Sequence, residues 1–139
     1  MATSARSYLL PDDILTAILE LARQEQEKDT NRALAFRGHD EELQQVFFDL
    51  SQDAKRSLLG AFVFSKSGPR PYSPALSDSV SKLQLAGLLG RQNPDYEIVF
   101  TTPAAHGYYE AVLSKRFSEE EKNQLKEIAK AFLSRIRSM

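Results

Sequence analysis

The run Gly68-Pro69-Arg70-Pro71-Tyr72-Ser73-Pro74-Ala75-Leu76 constrains this chain more than any other stretch. Each proline ring locks its own φ and pushes the preceding residue out of the helical region, so the segment takes an extended, turn-like path. A helix can begin only at the last of the three prolines. Ser73 then stands as N-cap and Pro74 as first helical residue, where the missing N–H is one that no helix uses. Leu76, Val80, Leu83 and Gly87 follow at i, i+4, i+7 and i+11, one narrow apolar stripe on a helix over Pro74 to Ala86. At about 100° per residue, the face turned away from that stripe carries Asp78, Ser81, Lys82 and Leu85, with Ser77 and Gln84 on its flanks.

The elements around this helix follow from local signals. Leu88 to Gln92 and Tyr96 to Phe100 flank Asn93-Pro94-Asp95 and read as a β-hairpin, the second run combining aromatic and β-branched residues with alternation. Thr102-Pro103 repeats the cap-then-proline device and opens a helix carrying Tyr108, Tyr109, Val112 and Leu113. Ser118-Glu119-Glu120-Glu121 is a capping box. It starts the longest helix, with Leu125, Ile128, Ala129, Phe132, Leu133 and Ile136 on one face. Upstream, a helix begins at Pro11 with Asp12 and Asp13 in its first turn, where the dipole favours negative charge, and with Ile14, Leu15, Ile18, Leu19, Leu21 and Ala22 on a wide apolar face. Asp40 caps a further helix with Leu43, Val46, Phe47 and Leu50 inward and Phe48 directed away. Ala33 to Phe36 reads as a short strand or a buried loop. Leu58 to Phe64 reads as a short helix followed by a strand or as one strand, with a strand expected at Ala61 to Phe64.

The order of rigid turn, short helix, glycine exit, hairpin and further helix predicts a mainly α fold with a small β-hairpin. It is a winged helix-turn-helix core over about residues 40–115, with flanking N- and C-terminal helices, the latter over about 118–137, all in one domain spanning 1–139. A chain of 139 residues buries enough surface to need no disulfide or structural metal. With no cysteine, thiolate zinc, iron–sulfur and thiol chemistry are excluded. Two histidines do not build a transition-metal centre, and no cofactor is expected. His39 adjoins Asp40, Glu41 and Glu42, an acidic first turn rather than a ligand set; His106 has no nearby carboxylate in the sequence. No Gly-rich phosphate loop, Gly-x-Ser-x-Gly elbow or HExxH pattern occurs, and the expectation is a non-enzyme. No apolar run reaches the roughly 20 residues of a spanning helix and no signal-peptide pattern opens the chain. The expectation is a cytoplasmic protein without membrane contact.

Gly68-Pro69-Arg70-Pro71-Tyr72-Ser73-Pro74-Ala75-Leu76, followed by Leu83 and Gly87-Leu88-Leu89, resembles the Gly-Pro-Tyr-Ser-Pro-x-Leu signature of the YwgA-type and Panacea-type proteins. This sequence inserts Arg70 and Pro71 between the Gly-Pro and the Tyr. Ile98-Val99-Phe100-Thr101-Thr102-Pro103 to Gly107 is also similar to the end of the wing in many winged-helix regulators. The resemblance spans about Phe64 to Tyr109. It implies a winged-helix core without enzymatic activity, and the Panacea-type family includes antitoxins that neutralise a protein partner.

Two functions from different classes follow. A DNA-binding regulator would use the Pro74 helix and the wing, with Lys66, Arg70, Lys82 and Arg91 converging as the cations that phosphate contacts require. A protein-binding module, antitoxin-like, would use the same helix with the proline turn. The candidate contact residues are Lys66, Arg70, Tyr72, Ser77, Asp78, Ser81, Lys82, Leu85 and Arg91. A formal net charge of −1 and the acid at Asp78 work against phosphate binding, and an outward Leu85 suits a protein interface. The long apolar face of the last helix predicts a homodimer, unless that face packs on Ile14, Ile18 and Leu21.

Overall fold

The computed structural model describes residues 10–26, 34–37, 40–65, 68–91 and 98–137. His39, Lys66 and the Asn93-Pro94-Asp95 loop lie outside the described residues, as do the side chains of Asp40, Glu41, Ile98 and Phe100. Helix α1 (Pro11–Gln26) is the axis of the molecule. All of its residues from Asp13 to Arg23 are buried, the polar ones included. Strand β1 (Ala35–Arg37), helix α2 (Asp40–Ser51), a 3₁₀ segment (Ala54–Ala61) and helix α3 (Pro74–Leu85) follow. Strands β2 (Leu89–Arg91) and β3 (Ile98–Thr101) come next. A helical run then passes through α4 (Pro103–Tyr108), a π-helical turn (Tyr109–Leu113) and α5 (Ser114–Arg116). Helix α6 (Glu119–Arg137) comes last.

The three strands form one antiparallel sheet in the order β1-β3-β2. Phe36 sits opposite Val99, and Leu89 opposite Thr101. Of the Ala33 to Phe36 stretch, open between strand and loop in the sequence, Ala33 lies outside the described residues, and Ala35 and Phe36 belong to β1, which pairs with β3 at the edge of the sheet. Leu34 locks its entry: its carbonyl accepts from the Thr101 N–H at 2.9 Å, and its own N–H donates to Thr101 Oγ1 at 3.0 Å. Among the described residues the buried strand positions are Phe36, Leu89, Val99 and Thr101, while Leu88 is half-buried.

The strand expected at Ala61 to Phe64 is not there. The chain from Ala54 is a 3₁₀ helix to Ala61, and the next extended contact is an isolated bridge between Ser65 and Tyr72. Residue spacing explains the difference. Leu59 and Phe62 are both buried, and three residues make one turn of 3₁₀ helix, which puts both on the same side; a strand would send them to opposite faces. Val63 is 74% exposed as a result.

The core joins α1, α2, α3, α6 and the sheet, so that residues before position 40 belong to it as fully as those after. A line of rings crosses it. Phe36 meets Phe132 edge-on at 5.4 Å, Phe132 meets Phe47 at 5.5 Å, and Phe47 meets Phe62 at 5.9 Å. Such pairs contribute about 0.5–1.5 kcal/mol each beyond the area they bury. The Ser118 capping box forms as its spacing requires, with the Ser118 N–H donating to Glu121 Oε1 at 2.7 Å and the Glu121 N–H to Ser118 Oγ at 3.1 Å. From there α6 lies along α1, its most extensive packing partner. Leu125, Ile128, Ala129, Phe132 and Leu133 are buried within the single chain. The apolar surface that was the reason to expect a homodimer is thus covered by α1 of the same molecule.

Candidate interaction surface

Helix α3 is positioned from both ends. At its start Ser73 is extended (φ −117°, ψ 113°) and its Oγ accepts from the Leu76 N–H at 3.3 Å. Pro74 is the first helical residue. The side-chain amide of Gln44 in α2 then holds the Ser73 backbone by two bonds, accepting from its N–H at 2.7 Å and donating to its carbonyl at 3.0 Å. The proline turn before it is pinned by the Ser65–Tyr72 bridge. At the far end Gly87 takes φ 82°, which only glycine adopts without strain. The Leu88 N–H reaches the Leu83 carbonyl at 2.9 Å and the Gly87 N–H that of Gln84 at 3.1 Å, so the helix closes in a Schellman motif.

With both ends held, the rotation of α3 is determined. Leu76, Ser79, Val80 and Leu83 are buried, and the Ser79 hydroxyl donates to Asp12 Oδ1 at 2.5 Å. Asp78, Ser81, Lys82 and Leu85 are exposed, as the periodicity requires, with Ser77 and Gln84 half-buried. Leu85 is 89% exposed.

Other expected contact residues are placed less compactly. Arg91 on β2 is half-buried and its Nε donates to Gln84 Oε1 at 3.3 Å, tying β2 to one flank of α3. Lys82 is about 200° from Gln84 around the helix and lies on the opposite flank, beside Leu10 and Asp12. Arg70 is exposed in the proline turn, and Tyr72 is partly exposed next to it. The open face of α3 therefore separates Lys82 from Arg91 instead of gathering them.

Sequence reasoning missed a polar seam beneath this surface. Glu20, fully buried, receives Arg23 through two bonds (Nε to Oε1 at 2.9 Å, Nη2 to Oε2 at 2.8 Å) and Gln24 at 2.9 Å. His106 of α4 completes the group, its Nδ1 lying 2.7 Å from Glu20 Oε2. The expectation that His106 lacks a carboxylate is corrected here: its partner lies 86 residues away along the chain. Burial works against the Glu20 carboxylate, but donation from Arg23, Gln24 and His106 outweighs it and holds the group below its ordinary value. Asp13 forms a second node, accepting from the Tyr108 hydroxyl at 3.0 Å and from Arg116 at 2.6 Å. Burial, and then the Asp13 carboxylate, raise the Tyr108 hydroxyl above its usual value.

The π turn explains why two residues eight apart reach one carboxylate. In a plain α-helix Tyr108 and Arg116 would be rotated by about 80°; one extra residue in the turn gives them about an i, i+7 relationship and one face. A sequence signal for the seam did exist. Asp13, Thr16, Glu20 and Arg23 recur at helical spacing along an otherwise apolar helix, a narrow polar stripe that needs partners once α1 is central. Among the described residues no buried side-chain polar atom is left without a hydrogen-bond partner, and no group of three or more His, Asp or Glu could hold a metal. No described helix is long and apolar enough to cross a membrane.

Compared with protein-family models, with curated proteins and with solved structures, the chain matches none.

Proposed function

We propose that the chain is a winged-helix binding module that docks a protein partner on the open face of α3. The order α1-β1-α2-α3-β2-β3, with a sheet ordered β1-β3-β2 and α3 leading directly into the wing, supports the winged-helix reading. Leu85 carries the choice of partner. A leucine 89% exposed beside Asp78 and Ser81 gives an apolar centre with a polar rim, the pattern of a protein interface and a poor match to a polyanion. The partner this fits presents an apolar pocket for Leu85 with hydrogen-bond donors around it for Asp78.

A second reading, a DNA-binding regulator, is favoured by the same topology and by Arg70, Lys82 and Arg91 around the helix. The two separate in one pair of measurements. Photo-crosslinking from position 81 in the source cell should yield one adduct that Leu85→Asp abolishes, while duplex binding stays absent at low salt. Salt-dependent duplex binding weakened by Lys82→Ala with Arg91→Ala would overturn the protein reading in favour of DNA.

A further inference from the structure

We propose that the groove between the start of α1 and the end of α3 binds a free α-amino acid with an apolar side chain, as its zwitterion. The groove has a volume of about 480 Å³, toward the small end of the range for ligand sites and suited to one small molecule. Leu10, Leu83, Ala86 and Leu88 give it apolar walls. Two charged residues of opposite sign line the same space, Asp12 from α1 and Lys82 from α3.

What distinguishes these two is that they do not pair. Asp13, also in the wall, has both oxygens engaged by Tyr108 and Arg116. Asp12 accepts from Ser79 on Oδ1 alone, and among the described residues its other oxygen has no donor. Lys82 has no ion-pair partner among the described residues, Asp12 included. A carboxylate and an ammonium that line one apolar groove without meeting each other call for a ligand carrying both opposite charges close together. The ammonium of an α-amino acid donates to the free oxygen of Asp12, its carboxylate accepts from Lys82, and its side chain covers Leu83 and Leu88. A ligand with one charge leaves the other wall group unmatched, and an apolar side chain suits a wall in which the Thr16 and Tyr108 hydroxyls already donate to the Asp12 carbonyl and the Asp13 carboxylate.

The site shares Lys82 with the edge of the outer face of α3, and its test uses the intact chain alone, with no partner or duplex present. Calorimetric titration with leucine, isoleucine, valine, methionine and phenylalanine should show saturable one-site binding for at least one of them in the millimolar range or tighter. For that amino acid, the amide lacking the carboxylate and the acid lacking the amine should each bind about tenfold more weakly. Lys82→Ala should erase the preference over the amide and keep the preference over the deaminated acid; Asp12→Asn should do the reverse. Lys82 is exposed, so its variant carries the test even where Asp12→Asn melts early. No saturable binding by the folded wild-type chain overturns the proposal. So does binding in which both singly charged analogues match the amino acid, since the groove would then be reading apolar surface only.

Discussion

The side-chain amide of Gln44 pairs with the backbone of Ser73 as one strand residue pairs with another, accepting its N–H and donating to its carbonyl. This joins α2 to the first turn of α3 at the end of the proline turn, where no regular element is present to supply backbone partners. Gln44→Ala should cost about 2–3 kcal/mol, because it leaves a buried N–H without an acceptor. Ser73→Ala, which removes the cap and keeps the clamp, should cost about 1 kcal/mol. Urea midpoints at unchanged slope would show that order, and equal losses would mean that the clamp contributes nothing beyond the cap.

Glu20→Gln should be the most damaging isosteric change in the molecule. It removes the charge from the carboxylate 2.8 Å from the buried Arg23, a loss of about 3–5 kcal/mol for a broken buried pair. The acid dependence has a definite sign. The folded carboxylate titrates below its ordinary value of 4.5, so its contribution is complete above that value and is lost as pH falls through the folded one. Melting temperature against pH should therefore drop more steeply on the acid side for the wild type than for Glu20→Gln. Parallel curves would show that the charge on Glu20 has no part in the acid transition.

Val80 and Leu85 lie on the same helix, at 6% and 89% exposure. Val80→Asp buries an unpaired carboxylate at a cost of several kcal/mol, comparable with the roughly 5–15 kcal/mol stability of a whole domain, and should unfold it. Leu85→Asp should move stability by no more than about 0.5 kcal/mol. Circular-dichroism melts decide this, and a cooperatively folded Val80→Asp would mean that α3 is rotated the other way.

Gly87→Ala should cost about 1–2 kcal/mol, the penalty for an L side chain in left-handed backbone. A Cβ placed there meets no atom within 4 Å, so the loss is conformational and no repacking can recover it. Gly60, which has equal room and no positive φ, is the control: its alanine variant should melt within a few degrees of the wild type.

The sequence by itself determined the parts whose partners lie within a turn or two. The Ser73-Pro74 start of α3, its Gly87 exit and the Ser118–Glu121 box each involve residues no more than a few positions apart, and their chemistry acts whatever the rest of the chain does. The outward set Asp78, Ser81, Lys82 and Leu85 follows from periodicity once Leu76, Val80 and Leu83 face inward, so the candidate surface was legible on α3 itself. Only the tertiary structure decided where the flanking cations fall, because the positions of Lys82 and Arg91 relative to each other depend on how β2 docks on Gln84. It also decided that Leu59 and Phe62 share a 3₁₀ face against Phe47, a choice between two local conformations that a seven-residue apolar run leaves open. The polar seam was the least legible. Arg23 lies three residues from Glu20, but Glu20 and His106 are 86 residues apart and Asp13 and Arg116 are 103 apart, and those long-range partners have no sign in the local sequence. Packing α1 at the centre removes water from its polar stripe, and desolvation then makes those distant partners necessary.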